Sequence, residues 1–351
     1  MTPSLYRMLL GMLLWSYATV AFAGPLKVLT FNTWLLRPLP GLDFSRDTDL
    51  RASLMPSYLA STGADVIALQ EVWDGRLRRR LINAMATHGY GFSLYSPNRY
   101  DDGVTPPFLR GAFGDGLLIL SRYPLEVPQD WRLHFDGFTR PDEWFVRKGA
   151  LHAVVYPPGT EAVHVYTSHL GAVDFNPALS IYDPSQESTR DAQIAQLIAW
   201  MRATAPSGPR VLAIDANVNT FSWSHKMRHW VRLLARGYLR LVADPALLLM
   251  DAYLAATGRG LDDEFTAPTY TSSALNTYVR EDSHFAGAPD SRIDFVLTGE
   301  SVTPVAAQVV FNRPVKLTPA LRERFEPSTN QVFLSDHFGV LVDLAVPEMR
   351  R

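Results

Sequence analysis

The sequence of 351 residues contains no cysteine. A disulfide framework, an iron–sulfur cluster, a thiol nucleophile and a cysteine-ligated zinc site are therefore all excluded. The charges nearly cancel, because 33 Lys and Arg face 35 Asp and Glu, for a net charge of −2. No global basic field indicates a nucleic-acid partner, although a local basic stripe is compatible with this balance. Repeats and Gly/Ser-rich linkers are absent too, and 47% hydrophobic residues are enough for a large core.

Long apolar runs are also lacking, with one short exception at the N-terminus. Arg7 precedes a mostly apolar stretch from Met8 to Val20, and Ala21-Phe22-Ala23 forms an A-x-A cleavage signal before Gly24. This stretch is shorter than the about 20 residues that span a bilayer. We therefore predict a bacterial-type signal peptide over residues 1–23 and a secreted or periplasmic mature protein. An uncleaved anchor or a buried N-terminal helix is the alternative for the same stretch.

Short apolar runs rich in β-branched residues recur along the rest of the chain and are typical of buried strands. They are Lys27–Phe31, Val66–Leu69, Gly116–Leu120, Leu151–Val155, Val163–Thr167, Val211–Ile214, Ile293–Thr298, Val305–Phe311 and Gly339–Leu344. Helical patterns lie between some of them, at Leu50–Ser61, at Leu77–Ala86 and around Ile194–Met201. Strands mixed with a few helices, without strict alternation, predict an α/β layered sandwich in a single domain over residues 24–351.

Polar side chains follow or precede many of these predicted strands. They are Asn32, Gln70-Glu71, Ser168-His169, Asp215-Ala216-Asn217, Asp294 and Ser335-Asp336-His337. One carboxylate at a strand end is usually a turn or a helix cap, but six such groups favour convergence at one rim of two packed sheets. Carboxylates, amides and imidazoles without cysteine suit Mg²⁺ or Mn²⁺, and such an ion polarises phosphoryl oxygens. Imidazole can also transfer protons near neutral pH.

The ordered set of motifs resembles that of the endonuclease/exonuclease/phosphatase superfamily from about Leu26 to Leu344. The motifs are Phe31-Asn32, Gln70-Glu71, Gly116–Arg122, Thr167–Leu170, Asp215-Ala216-Asn217, Arg292–Phe295 and Ser335–Val340. Two further segments, Lys148–Leu151 and Thr269-Tyr270-Thr271 with Asn276, are similar to the neutral sphingomyelinase branch. The resemblance implies a four-layered α/β sandwich, with two mixed sheets face to face and helices outside. It also implies a Mg²⁺-dependent phosphodiesterase.

The resemblance assigns expected metal ligands. Glu71 is expected to be the principal ligand with Asn32 beside it, and Asp336 is expected to add a further contact. Asp215 is expected to bind the metal or to orient the attacking water. Asn217 is expected to hold a phosphate oxygen beside the metal, so that Asp215 and Asn217 also take part in catalysis.

The same resemblance assigns expected proton-transfer groups. His337 is expected to be the general base, held in its tautomer by Asp294, and His169 to contact the phosphate or assist the leaving group. Lys148 is either a surface lysine or a functional residue of the branch. One position departs from the family pattern, because Ile214 precedes Asp215 where the family usually has glycine.

Two aromatic segments bear on the choice of substrate. Apolar and aromatic residues from Thr220 to Val242 recur at roughly helical spacing among basic residues, which predicts an amphipathic helix. Such a helix packs on the sandwich, lies in a membrane interface or follows a phosphate backbone. The region Trp131–Trp144, with Phe135, Phe138 and Phe145 in or beside it, either lines a substrate mouth or covers a sheet edge.

Three functions are compatible with these features. The leading one is an exported phosphodiesterase, dependent on Mg²⁺ or another divalent cation such as Mn²⁺, that acts at a membrane surface. It hydrolyses sphingomyelin or a related phospholipid to ceramide or diacylglycerol and a phosphorylated head group. The alternative is an exported metal-dependent nuclease, with nucleic acid as the less favoured partner because only one basic stretch is evident. The third is a non-catalytic binding module of the same fold. No obligate protein partner is indicated.

Overall fold

Two mixed β-sheets stand face to face in the computed structural model of the chain, with helices on both outer faces. The structure describes residues 22–37, 43–97, 113–176, 181–205, 207–226, 229–234, 236–261, 263, 269–281 and 290–349. The predicted signal peptide lies outside these residues except for its last two positions. The first strand begins at Phe22, so cleavage after Ala23 would leave its pairing from Pro25 onward in place.

Strands and helices are numbered here in chain order. The strands are β1 Phe22–Leu35, β2 Val66–Val72, β3 Phe92–Tyr95, β4 Leu118–Ser121, β5 Leu125–Glu126, β6 Arg132–His134, β7 Gly149–Val155, β8 Val163–His169, β9 Phe175–Asn176, β10 Ile181–Tyr182, β11 Arg210–Asp215, β12 Phe221–Lys226, β13 His229–Leu234, β14 Met250–Asp251, β15 Asp294–Thr298, β16 Thr303–Val310 and β17 Gly339–Pro347. The helices are α1 Thr48–Ser61, α2 Gly75–Thr87, α3 Pro184–Thr204, α4 Arg236–Val242, α5 Ala252–Thr257, α6 Thr277–Glu281 and α7 Pro319–Phe325, and a 3-10 helix spans Pro141–Phe145.

The first sheet has the strand order β16-β17-β1-β2-β4-β3. Strands β1 and β2 are parallel and are joined through α1, as a parallel pair requires a crossover. This register sets Asn32 opposite Gln70, next to Glu71. Strand β17 is antiparallel to β1, so it begins at the edge where β1 ends.

The second sheet has the order β14-β15-β11-β8-β7-β5, and β6 also pairs with β7. Strands β8 and β11 are parallel, with α3 between them in sequence, and β15 is antiparallel to β11. Asp215 therefore has His169 as its partner on one side and Asp294 on the other. The pairing alone brings three predicted site residues to one edge of this sheet.

Apolar side chains fill three layers and confirm the predicted sandwich. The central cluster contains Val28 and Val66 of the first sheet together with Val165 and Val211 of the second, all fully buried. Leucine and methionine residues of α1 and α2 pack on the outer face of the first sheet. Ile194, Leu197 and Met201 of α3 do the same on the second sheet. Along each strand, side chains therefore pack alternately into the central core and into an outer core.

Local sequence explains where the main helices begin. Asp74 caps α2 by accepting hydrogen bonds from the backbone N–H groups of Arg76 and Leu77. Asp183 caps α3 in the same way, and Pro184 occupies the first helical turn, where no intrahelical donor is needed. Among the described residues, no helix has the length and apolar character needed to cross a membrane.

Residues 220–242 do not form the amphipathic helix that their spacing predicts. Strands β12 and β13 form an antiparallel hairpin in which Trp223 is the partner of Arg232, and α4 is the only helix in the described part of this segment. The prediction is wrong because the sequence Phe-Ser-Trp-Ser-His from Phe221 also alternates with the period of two that strands have. An interfacial helix is therefore no longer an argument about the substrate.

Candidate active site

The predicted site residues meet at one rim of the sandwich. Strands β1, β2, β8 and β11 end there, and β15 and β17 begin there. Asn32, Glu71, His169, Asp215, Asn217, Asp294, Asp336 and His337 all lie on these strand ends or in the adjoining turns. The structure thus brings together every residue of the predicted site, although this placement leaves their individual roles as predictions.

The Asn32 amide links two carboxylates from different sheets. Its Nδ2 donates to Glu71 Oε1 at 3.0 Å and to Asp215 Oδ2 at 2.8 Å. Its Oδ1 accepts a hydrogen bond from the backbone N–H of Trp34 at 2.9 Å. Glu71 and Asp215 therefore flank one amide group across the gap between the sheets, and Asn32 fixes their separation.

His337 and Asp294 form a buried pair. His337 Nδ1 lies 2.9 Å from Asp294 Oδ2, so the carboxylate holds the ring and directs the proton to Nδ1. Nε2 has no hydrogen-bond partner among the described residues and is the ring nitrogen available to accept a proton. The Ser335 hydroxyl supports this turn, because it donates to Asp336 Oδ1 at 3.0 Å and accepts from the His337 backbone N–H at 3.3 Å.

Lys148 and a further buried acid, Glu143, also lie at the rim. Glu143 was not identified from the sequence. Lys148 Nζ lies 2.9 Å from Glu143 Oε1, 3.1 Å from His169 Nε2 and 2.9 Å from the Leu170 carbonyl. Glu143 also accepts hydrogen bonds from the backbone N–H and hydroxyl of Thr139. The Lys148 side chain is therefore largely enclosed and contacts His169, so it is not an isolated surface lysine, while its function stays a prediction.

The two site histidines are in opposite electrostatic environments. Burial alone would lower the pKa of His337, but Asp294, Asp215 and Asp336 raise it well above 6.5. Burial, Lys148 and His337 lower the pKa of His169 well below 6.5. His169 is therefore neutral at pH 7, and its Nε2 can accept a hydrogen bond from Lys148.

Asn217 follows Asp215 in a strained turn. Its φ of 47° is in the left-handed region, as is the φ of 59° at Glu71. The Asn217 backbone N–H donates to Asp215 Oδ1, and its side chain donates to the Leu170 carbonyl at 3.0 Å. Ile214, where the family usually has glycine, is an ordinary buried strand residue, so the turn is made after Asp215. Left-handed non-glycine residues of this kind tend to cluster at functional sites.

The charge balance of the rim fits a divalent cation. Burial and then Asp294 raise the pKa of Asp215 to about 6, and burial and then Asp336 raise the pKa of Glu71. Asp294 Oδ1 is buried and has no hydrogen-bond partner among the described residues. Asp215, Asp294 and His337 each place a ligand atom within 4.8 Å of the others. Crowded buried carboxylates with unused oxygens are the donor set that hard cations take.

Residues near the branch motifs support the rim from behind. The Thr271 hydroxyl accepts hydrogen bonds from the backbone N–H groups of Ile293 and Asp294, and Asn276 Nδ2 donates to the Ser335 carbonyl at 2.7 Å. These contacts fix the strand that carries Asp294 and the turn that carries His337. The short motifs that were similar to the sphingomyelinase branch therefore have a structural role at the site.

A model of the Endonuclease/Exonuclease/phosphatase family matches residues 29–337, which include this whole rim. The chain belongs to this family. Enzymes of the family are hydrolases of phosphodiester bonds, and the Asp and His cluster can bind the divalent metal on which they depend. The chain has the family's fold and, on one rim, Asp and His side chains that can hold a metal ion.

Similar proteins have names that point to different substrates. A Drosophila melanogaster protein named "Putative neutral sphingomyelinase" is 28% identical over 214 residues, 58% of this chain and 41% of that protein. Sphingomyelinase C from Streptomyces griseocarneus has the same fold, with a TM-score of 0.58 and 22% identity over 91% of this chain and 99% of that chain. D. rerio TDP2 with a single-strand DNA product has a TM-score of 0.54 and 15% identity, with 91% and 98% covered.

Proposed function

We propose that this chain is an exported, Mg²⁺-dependent phosphodiesterase that hydrolyses sphingomyelin or a related phospholipid. The products are ceramide or diacylglycerol and a phosphorylated head group. The proposal rests on one observation: exposed apolar side chains lie on both sides of the rim that carries the site residues. The proposal includes the choice of Mg²⁺ as the cation, export by the signal peptide and a lipid as the substrate.

The rim residues supply proton transfer and orientation for hydrolysis. In its neutral form, His337 Nε2 accepts a proton from the attacking water while Asp294 holds Nδ1, and a bound cation would offset the carboxylates that favour the protonated ring. The water oxygen forms a bond to phosphorus, the bond from phosphorus to the lipid oxygen breaks, and the leaving oxygen takes up a proton from solvent. Lys148 and Asn217 face the phosphate oxygens and orient them. A bound Mg²⁺ would stabilise the charge that develops on the phosphoryl and leaving oxygens.

Exposed apolar side chains border the rim. Phe138 and Phe145, which are 40% and 39% exposed, lie on the segment that carries Glu143 and leads into Lys148. Leu275 is 73% exposed and lies in the loop between Ser272 and Asn276. Ser272 forms a β-bridge with His337, and the Asn276 side chain donates to the Ser335 carbonyl. Apolar groups at the mouth of a polar site fit a substrate that sits in a bilayer.

The Trp131–Trp144 region divides between its two predicted roles. Phe135 is only 5% exposed and packs in the outer core of the second sheet, and Trp131 packs against the central core. Phe138 is exposed beside Glu143 and Lys148, where it lines a small cavity. The first part of the region therefore covers the sheet, and its second part borders the rim.

A nuclease is the second candidate, and one observation favours it. Helix α2 begins four residues after Glu71 and exposes Arg76, Arg79 and Arg80. Basic side chains beside a phosphodiesterase site can bind a phosphate backbone. The DNA-bound TDP2 fold supports this candidate as the sphingomyelinase fold supports the first.

Initial rates on two substrates test the choice. Purified mature protein with Mg²⁺ is assayed for phosphocholine release from sphingomyelin vesicles and for cleavage of single-stranded DNA, each at 50 mM and 200 mM NaCl. We expect phosphocholine release that changes little with salt, and no DNA cleavage. DNA cleavage that falls steeply with salt, without phosphocholine release, would replace the lipid by the nucleic acid. A Leu275→Ser/Phe138→Ser variant should lose vesicle activity but keep its rate on a soluble phosphocholine ester.

A further inference from the structure

An arginine without an acidic partner is buried directly behind the rim. Arg51 of α1 has an exposed fraction of 0%. No carboxylate of the described residues forms an ion pair with it. A buried charge costs several kcal/mol unless other groups compensate it. The groups that compensate Arg51 therefore indicate what it does.

Main-chain carbonyls surround the Arg51 guanidinium. Nη1 donates to the Thr33 carbonyl at 2.7 Å and to the Leu334 carbonyl at 3.1 Å, and Nη2 donates to the Trp34 carbonyl at 2.6 Å. Nε donates to the Arg46 carbonyl at 2.8 Å. The planar, rigid fork of arginine can bind several acceptors at fixed angles, which the single ammonium of lysine cannot do.

Aromatic rings close the guanidinium on its faces. The Trp34 ring centroid lies 5.0 Å from Arg51 Cζ, and the Tyr278 centroid lies 5.6 Å from it. The Tyr278 hydroxyl donates to Asp47 Oδ2 at 2.7 Å, which fixes that ring. The orientation of the fork is therefore determined by packing as well as by hydrogen bonds.

Three of the four carbonyls that Arg51 binds belong to two segments of the rim. Thr33 and Trp34 directly follow Asn32, and Trp34 has a φ of 48° where the chain turns away. Leu334 stands two residues before Asp336. Arg51 thus connects the end of β1 to the turn before β17, one from each side of the rim.

The charge of Arg51 also reaches the rim. Burial lowers the pKa of Arg51, while Tyr278, Asp336 and Glu71 act in the opposite direction. Arg51 in turn lowers the pKa of Asp336 against the effect of burial. A cation one layer behind the carboxylates reduces their repulsion without occupying the place of a metal ion.

We infer that Arg51 is a positioning residue for the divalent cation. It holds the end of β1, where the Asn32 amide spaces Glu71 and Asp215, at a fixed separation from the turn that carries Asp336. The inference rests on the proposed metal-dependent function, since it concerns the affinity of that metal. It predicts that loss of the fork weakens metal binding even in a protein that remains folded.

The test measures the Kd of Mn²⁺ by calorimetry, together with the thermal unfolding midpoint in EDTA. The proteins are the wild type, Arg51→Lys, Arg51→Met and the control Arg210→Met. Arg210 is also a buried arginine, 7% exposed, but it lies at the start of β11, far from the rim. We expect the Kd to rise about 10-fold in R51K and about 10- to 100-fold in R51M, as for other groups that orient metal ligands. R210M should keep the wild-type Kd within twofold.

Each outcome separates the inference from the proposed function. Wild-type protein that binds no Mn²⁺ would refute the metal-dependent function itself. Wild-type binding with an unchanged Kd in folded R51K would refute the role of Arg51, even if the unfolding midpoint falls. If R51M does not fold, R51K decides alone, because lysine keeps the charge and the aliphatic stem but not the fork.

Discussion

Two buried histidines of the molecule differ in charge. His337 at the rim bonds to Asp294, and three carboxylates raise its pKa well above 6.5. His152 on β7 lies beneath α3, bonds to His164 Nδ1 at 2.9 Å and stacks on Tyr166 with a centroid distance of 4.3 Å. Burial, and then His164, lowers its pKa to about 3.

The difference shows that neighbouring carboxylates, and not burial, decide which histidine is charged. Beneath α3 the sheet buries a neutral imidazole among aromatic rings, at the ordinary cost of packing. The rim instead gathers five carboxylates and two cationic side chains, which are Glu71, Glu143, Asp215, Asp294, Asp336, Lys148 and Arg51. Of the two environments, only the rim offers carboxylates to a divalent cation beside a histidine that can take part in proton transfer.

Removal of each histidine in turn gives the largest expected contrast. His337→Ala should lower the rate of phosphodiester hydrolysis by roughly three orders of magnitude, because it removes the proposed acceptor of the water proton. His152→Phe, which keeps a ring between Tyr166 and Trp200, should leave that rate within about threefold. Steady-state rates at saturating Mg²⁺ measure both. A larger loss in H152F than in H337A would reverse the assignment.

The Lys148–Glu143 pair tests whether charge at the rim must be balanced. Lys148→Met should destabilise the protein by about 3 kcal/mol, because it leaves the buried Glu143 carboxylate without its cation. Glu143→Gln added to K148M should restore much of that loss. Urea unfolding of the single and double variants in EDTA gives the free energies. Equal stability of K148M and the wild type would show that the pair is not coupled.

Asp215→Asn tests the repulsion among the carboxylates. The folded-state pKa of about 6 lies above the ordinary value of 3.8, so ionisation of Asp215 makes the metal-free protein less stable as pH rises through this interval. At pH 7.5 in EDTA, D215N should therefore unfold at a temperature no lower than the wild type. With Mg²⁺ the order should reverse, and hydrolysis should fall by about 100-fold. A D215N protein that gains as much stability from Mg²⁺ as the wild type would remove Asp215 from the cation site.

The smallest expected effect concerns acid stability. The depressed pKa of His152 means that the unfolded chain takes up a proton near pH 6.5 while the folded chain does not, so stability falls as pH decreases from 6.5 towards 3. H152F should reduce this fall by about 1 to 2 kcal/mol between pH 6.5 and 4. Urea unfolding at several pH values measures the slope. An identical slope in both proteins would mean that His152 takes up its proton without unfolding.

Much of the fold followed from the sequence because it depends on local patterns. Every predicted strand from Lys27–Phe31 to Gly339–Leu344 overlaps a strand of the structure, and the helices around Leu50, Leu77 and Ile194 are present. Alternation of apolar residues and helical periodicity are short-range patterns, and the elements they predict are found in the fold. Residues 220–226 were the exception, since one apolar spacing fits both periods.

The position of the site could be predicted, but its internal contacts could not. Polar residues after strands indicated the rim, since strand ends converge in a layered sandwich. Arg51 gave no signal, because it binds main-chain carbonyls of distant segments. Glu143 lies only five residues from Lys148, but no motif marked it as a partner of that lysine. The left-handed turns at Glu71 and Asn217 were equally invisible, since neither residue is glycine.

The most direct test of the central claim is phosphocholine release from sphingomyelin vesicles by the mature protein. It compares the wild type with Mg²⁺, the wild type with EDTA, and H337A with Mg²⁺, each verified as folded by circular dichroism. The account predicts release only in the first case. Release that persists in EDTA or in H337A would contradict the assignment of the rim as a metal-dependent phosphodiesterase centre.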